Sequence, residues 1–242
     1  MSQTVSVAAP AASAEDASQA TDRRTRRTRL ALRDALAEEI AATGDLSRVT
    51  VTAVTSRAGV TRRTFYSHYK DIPDLVNCIE KETVTELRPL VAQLSQVHLD
   101  ELADAINHQE PCPGSQEILS YFKERGSYLR PLLGEGGDPA FSQRIRSMVH
   151  EVVAGRALDG IDLRAVGAFF DYYLTFAISA EVGVLLRWLE GGMRESVRTM
   201  ARIMTALMFV RPGDLYGRPI DFDIPSLAKQ AMAFQKEHDD VC

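Results

Sequence analysis

Apolar residues recur at helical spacing in nearly every segment of the chain, and clusters of glycine and proline separate the segments. The strict alternation that is typical of β-strands is scarce, so the pattern predicts an all-α fold of about nine helices. The predicted helices are a first one from about Arg23 to Thr43, two short ones after Thr50 and Thr61, one from Asp71 through Leu90, and then about 115–126, 127–133, 138–154, 162–190 and 194–210, with one more possible near 225–237.

Residues 50–71 carry several helix start and stop signals close together. Thr50, Thr61 and Asp71 each suit the N-cap position, where a side-chain oxygen accepts a hydrogen bond from the following turn. Gly59 suits the turn between the two short helices, and Gly44 suits the left-handed position after the first helix. Two short helices joined by a glycine turn are typical of a helix-turn-helix, which needs a small core and a second helix whose first turn reaches DNA bases.

The charge distribution changes how the acidic composition of the chain is interpreted. The net charge is −5, which taken over the whole chain argues against a nucleic-acid partner. Residues 20–70, however, carry a balance of +6 (eleven Lys/Arg against five Asp/Glu), whereas residues 71–242 carry −9 (17 against 26). A basic head on an acidic body concentrates polyanion binding at the head.

The second short helix begins with side chains that suit a DNA contact. Arg62 and Arg63 have the planar fork that reads guanine O6 and N7, and Thr61 and Thr64 offer hydroxyl groups. The arginine run RRTRRTR at 23–29 can contact phosphates or enter the minor groove. The alternative is an ordinary solvated helix face, but the capped turn and the second basic run favour DNA. The predicted DNA contacts are Arg26, Arg27, Thr50, Thr61, Arg62, Arg63, Thr64, Tyr66, His68, Tyr69 and Lys70.

The segment RAGVTRRTFYSHYKDIPDL (57–75) closely resembles the signature of TetR-like transcriptional regulators. The resemblance implies a three-helix DNA-binding head, a helical ligand-binding and dimerisation body, and a homodimer that reads a pseudo-palindromic operator. It also implies a repressor that a small molecule releases. The chain departs from the family in having Ile72 where a lysine is usual, so Lys70 is the nearest basic side chain. A looser resemblance covers 129–141 and 172–196.

The implied organisation divides the chain into four parts: a disordered arm at 1–22, a DNA-binding domain at 23–70, a ligand-binding and dimerisation domain at 71–212, and a tail at 213–242. The long helix at 162–190 is apolar on more than one face, so it must bury several sides. Either one side meets a second copy, or the helix is the centre of a large monomeric core. The predicted interface residues are Tyr173, Ala177, Ala180, Val184, Trp188, Met200 and Met204.

A small-molecule pocket would lie within the helices of residues 72–154. Its candidate lining residues are Leu94, Tyr121, Phe122, Tyr128, Phe141 and Met148, each of which could equally be plain core. The effector itself is unidentified. An alternative function is a DNA-binding adaptor whose body binds a protein partner instead of a metabolite.

Other classes of function have little support in the sequence. The motifs of nucleotide-binding folds, serine hydrolases and zinc proteases are missing, and GEGG at 134–137 lies between two helices instead of following a strand. The three cysteines and five histidines match no metal-ligand spacing, so no enzyme, metal or cofactor is predicted. The apolar window near 169–190 contains charged residues, which argues against a membrane span. With no signal-peptide pattern at 1–22, the expected location is the cytoplasm.

Overall fold

The computed structural model describes residues 14–155 and 163–208, and helices are the only regular secondary structure in these ranges, which confirms the predicted all-α class. The α-helices are α1 (Ala14–Thr43), α2 (Val51–Ala58), α3 (Arg62–Tyr66), α4 (Ile72–Leu94), α5 (Leu99–Asn107), α6 (Ser115–Glu124), α7 (Gly126–Leu133), α8 (Pro139–Ala154), α9 (Leu163–Glu190) and α10 (Val197–Leu207), with a 3-10 turn at Leu46–Arg48. None of these helices is long and apolar enough to cross a membrane. The predicted helix near 225–237 lies outside the described residues.

Two differences from the sequence prediction concern the first half of the chain. Helix α1 begins at Ala14, so residues 14–22, predicted as part of a disordered arm, are helical. Helix α5 was not predicted. It begins where the Glu101 carboxylate accepts a hydrogen bond from the His98 N–H at 2.9 Å, a contact that satisfies one of the backbone groups exposed at a helix start.

The head consists of α1, α2 and α3, with their apolar faces turned toward one another. Leu32, Leu36 and Ile40 form the stripe of α1 that the helical spacing predicted, and all three are buried in the same cluster as Val54 of α2 and Phe65 of α3. Burial of such side chains contributes about 1.5–3 kcal/mol each, which is what holds two helices as short as α2 and α3 in place.

The body is built on α4, which packs against α6 and α8, while α9 packs against α8 and α10 against α6. Helix α1 also packs against α7, so the head rests directly on the body. The buried apolar residues of the head and the body form one continuous cluster. The position of the head therefore depends on packing with the body as well as on its own core.

Candidate DNA-contacting surface

The helix-turn-helix is defined by two threonine caps and one glycine. Thr50 Oγ1 accepts a hydrogen bond from Ala53 N at 3.2 Å, and Thr61 Oγ1 accepts one from Thr64 N at 3.1 Å. Between the two helices Gly59 has φ +65° and ψ +31°, a left-handed conformation that costs glycine least. The predicted caps and turn are confirmed.

Helix α3 is fixed to the head by Phe65, whose side chain is completely buried. The Phe65 ring meets the edge of Tyr66, with ring centroids 5.5 Å apart, and Tyr66 itself is half exposed. Because Phe65 points into the core, the residues on either side of it face away from the core. The same side-chain packing that holds the helix therefore decides which of its residues can reach a partner.

Arg62 and Arg63 are exposed, and neither forms an ion pair in the part of the chain that the structure describes. The one polar contact of Arg62 is long, 3.4 Å from Nη2 to the Tyr66 hydroxyl. Beside them, the Thr61 and Thr64 hydroxyl oxygens are 2.9 Å apart. The surface thus joins two uncommitted guanidinium groups to a pair of hydroxyls, which is a donor-rich face suited to a nucleic acid.

Tyr69 is the exception among the predicted contacts, because it is only 5% exposed and packs in the head core. Its hydroxyl accepts a hydrogen bond from Arg29 Nε at 3.3 Å, and burial raises the pKa of the phenol. Arg29 also pairs with Glu82 of α4. Tyr69 therefore ties α1 to the start of the body instead of facing a partner, and the prediction that it contacts DNA is a misreading of a core aromatic.

The end of α3 leads into α4 through a second set of predicted groups. Lys70 is exposed and its backbone N–H donates to Asp74 Oδ2 at 2.9 Å, while His68 is half-buried. The predicted cap is confirmed, because Asp71 Oδ1 accepts from Asp74 N at 2.8 Å. Ile72, where the family usually has lysine, is buried. Lys70 is therefore the exposed cation that is closest in sequence to the start of α4.

The arginine run lies on α1, upstream of the first buried residue of the head. Arg23, Arg24, Arg26, Arg27 and Arg29 are all exposed, but Arg29 differs from the others in bonding to Tyr69 and pairing with Glu82. The run therefore contains two kinds of arginine. Those before Arg29 extend beyond the head core on a helix, and no carboxylate pairs with them within the described ranges.

The outer faces of α9 and α10 carry the most exposed apolar side chains of the body. Tyr172 and Phe176 are each 72% exposed, although neither was predicted, and Tyr173 and Ala180 are exposed as well. Ala177, Val184 and Met204 are half-buried. Trp188 and Met200 are only 4% and 5% exposed, because they pack inside their own chain. The structure therefore places these two residues in the core, contrary to the prediction that they lie in the dimer interface.

Most of the predicted pocket residues are packed in the core. Tyr121, Phe122, Tyr128, Phe141 and Met148 are buried in the continuous core, and Leu94 is half-buried. A groove of about 370 Å³ lies elsewhere, between α5 and α10. It is lined by Ile106, Gln109, Glu110, Thr199, Arg202, Ile203, Thr205 and Ala206.

Some buried polar atoms of the body lack hydrogen-bond partners. Trp188 Nε1 and Glu80 Oε1 have none among the described protein atoms, although Glu80 Oε2 pairs with Arg144 of α8. The Tyr121 hydroxyl makes no hydrogen bond of normal geometry, with Thr83 and Glu86 the polar groups close to it. Burial raises the pKa of Tyr121, so its hydroxyl stays protonated. Each unsatisfied buried group costs about 1–3 kcal/mol.

Comparisons with known proteins gave one family match, which lies in the body. Residues 109–209 match the TetR_C_8 family model, described as a transcriptional regulator C-terminal region. Among solved structures the chain is similar to a TetR transcriptional regulator from Streptococcus agalactiae 2603V, at 24% identity over 79% of this chain and 98% of that one, with a TM-score of 0.47. No curated protein matches the chain. The family match covers less than half of the chain, and it shows that the body, from the end of α5 to the end of α10, is similar to the C-terminal region of a transcriptional regulator.

Proposed function

We propose that the protein is a homodimeric repressor that binds a pseudo-palindromic DNA operator and dissociates from it when a small molecule binds the body. The observation that carries the proposal is the exposure of Arg62 and Arg63 on a helix that Phe65 fixes to the head core. A guanidinium group held on a rigid helix can make the two parallel hydrogen bonds that distinguish guanine from the other bases.

The remaining DNA contacts in the proposal are to the backbone. Thr61 and Thr64 offer hydroxyls next to the two arginines along α3, Thr50 offers one at the start of α2, and Lys70 offers a cation at the start of α4. Tyr66 and His68 complete this face. Contacts of this kind fix the register of a protein on the duplex without reading its sequence. Arg26 and Arg27 would extend the contact along the DNA through α1.

The homodimer is supported by the exposed aromatic face of α9. A soluble monomer rarely exposes a contiguous apolar patch of several large side chains, and Tyr172, Tyr173 and Phe176 lie together on one helix. Ile203 and Leu207 of α10 are exposed as well, as is Met208 directly after it. A second copy related by twofold symmetry would cover this face and place two heads on one operator.

Release by a small molecule is supported by the unsatisfied polar atoms inside the body. A ligand that donates to Glu80 Oε1 or accepts from Trp188 Nε1 would recover the cost of burying these groups. Such a ligand relieves repression only if it binds more tightly to a body whose heads no longer fit the half-site spacing. The groove between α5 and α10 is a second candidate site for a small molecule.

The test is selection of bound fragments from the source genome, followed by titration of the selected duplex. We expect a two-fold symmetric consensus with half-sites about 34 Å apart or a multiple of it. Light scattering should give twice the 26.8 kDa chain mass. A concentration-independent monomer would contradict the dimer, and co-purification of that monomer with another protein would favour the adaptor, since the aromatic face of α9 also fits a protein partner.

A further inference from the structure

The glycine-rich loop between α7 and α8 contacts the head through its backbone. The Leu46 N–H donates a hydrogen bond to the Gly136 carbonyl oxygen at 2.8 Å. Leu46 begins the 3-10 turn that follows α1 and leads directly to the Thr50 cap of α2. The loop 134–137 of the body is therefore hydrogen-bonded to the segment of the head from which the helix-turn-helix begins.

Gly136 has no room for a side chain at this contact. A Cβ atom there would lie 2.5 Å from the Gly44 carbonyl oxygen and 2.8 Å from the Gly44 carbonyl carbon, both of which belong to the head backbone. Gly134 differs, because its Cβ would meet only the Arg130 carbonyl oxygen of the body, at 3.0 Å. Glycine at 136 is thus required by the close approach of two backbones from different parts of the molecule.

A second contact joins the head and the body nearby. The Arg33 guanidinium of α1 lies 4.0 Å from the centre of the Tyr128 ring of α7. Tyr128 is buried, and burial raises the pKa of its phenol. A cation over the face of a buried ring is attracted by the ring's electron density, and the attraction strengthens as water is removed.

We propose that Gly136 and Arg33 are positioning residues that set the orientation of the DNA-binding head on the body. The head–body junction formed by these two contacts (Gly136 with Gly44 and Leu46, Arg33 with Tyr128) transmits a movement of α7 to α1 and to the segment before α2. The head responds as a unit, because α1 packs on α2 and α2 on α3. The proposal rests on the proposed function, since it names the regulatory connection of that same DNA-binding surface.

The decisive experiment compares Gly136→Ala with the matched control Gly134→Ala, which adds the same methyl group to the same loop without reaching the head. Operator titration at fixed salt is expected to show at least about tenfold weaker binding for Gly136→Ala than for the control, a loss of about 1.4 kcal/mol. Hydrogen exchange of the Leu46 amide is expected to accelerate in Gly136→Ala alone, because its acceptor moves away.

A second variant protects the test against misfolding of Gly136→Ala. Arg33→Met removes the charge over Tyr128 and keeps an unbranched side chain, and we expect it to weaken operator binding severalfold without changing the circular dichroism. Asp34→Asn is its control, since Arg33 also pairs with the exposed Asp34 at 2.7 Å. Asp34→Asn breaks that pair and leaves the contact with Tyr128 intact, so its operator affinity should remain that of the wild type.

The results of these experiments test the head–body junction separately from the proposed DNA-binding function. If the wild-type protein binds no operator, the proposed function fails, and the exchange of the Leu46 amide in the two glycine variants still tests the contact. Equal exchange in both variants overturns the contact. Faster exchange with unchanged operator affinity, or equal affinities of Arg33→Met and Asp34→Asn, overturns the positioning role.

Discussion

The arginines of helix α3 and the arginine at the contact between α4 and α8 have opposite surroundings. Arg62 and Arg63 of α3 are exposed and pair with no carboxylate within the described residues, whereas Arg144 of α8 pairs with Glu80 of α4, whose side chain is completely buried. The residue type is the same in both places. Its partner determines whether the charge stabilises the fold or remains available to another molecule.

The same contrast occurs within the head. Arg57 of α2 donates to Glu39 Oε1 at 2.6 Å and to Glu38 Oε2 at 3.1 Å, which ties α2 to α1. These ion pairs raise the pKa of Arg57, and none of this pairing is present at Arg62 or Arg63. A guanidinium that already binds carboxylates has fewer free N–H donors, and its charge is partly neutralised before it meets a phosphate or a base. Only part of the positive charge of the head is therefore available to bind another molecule.

The largest effect is expected from Arg144→Met, which removes the partner of the buried Glu80. Loss of one member of a buried ion pair costs about 3–5 kcal/mol, and we expect the lower end because the Arg144 side chain is 45% exposed. Urea unfolding should measure this loss, while the operator affinity of the folded protein stays unchanged. The double variant Arg144→Met/Glu80→Gln should recover part of the stability, and a failure to recover would mean that the charge of Glu80 is not the cause.

Arg62→Ala and Arg63→Ala should show the reverse pattern. Each is expected to weaken operator binding by about 1–3 kcal/mol and to relax the preference for one base, because a bidentate contact is lost. Urea unfolding should remain that of the wild type, since neither side chain contacts a carboxylate in the described structure. Titration of single-base operator variants separates base reading from phosphate binding. If both variants lose a negligible amount of operator affinity, α3 does not read the bases.

Arg26→Ala/Arg27→Ala should have a smaller effect that is spread over all DNA sequences. If both residues contact phosphates, the slope of log affinity against log salt should become shallower by about 1 for each arginine. The substitutions are preferable to deletion of residues 1–29, because the deletion would also remove Arg29 and its contacts with Tyr69 and Glu82. An unchanged salt slope would show that the exposed end of α1 lies away from the DNA.

Local chemistry explains which features could be predicted from the sequence. Thr50, Thr61 and Asp71 each accept a hydrogen bond from a backbone N–H only a few residues away, so a short stretch of sequence contains the whole interaction.

Helix α5 was not predicted because its apolar stripe covers little more than two turns and no glycine or proline comes directly before it. Such a short stripe is a weak signal of helical periodicity.

Features that depend on distant packing could not be predicted in the same way. Helix α9 is apolar on several sides, so its pattern alone does not distinguish Trp188, which faces the core, from Phe176, which faces outward. Tyr69 has the same ambiguity, since it follows Tyr66 at helical spacing. Gly136 meets the head only because α7 packs on α1. A local pattern contains no information about which distant segment will fill the other side of a contact.

The smallest effect is expected from Arg57→Gln, which tests the comparison most directly. It removes the same positive charge from the same domain as Arg62→Ala, but from a guanidinium that already has carboxylate partners. Because exposed ion pairs contribute little to stability, the urea midpoint should change only slightly. Operator affinity should fall far less than in Arg62→Ala, with no change in base preference. If the two variants lose operator affinity equally, total charge governs binding, and the absence of a carboxylate partner beside Arg62 has no special role.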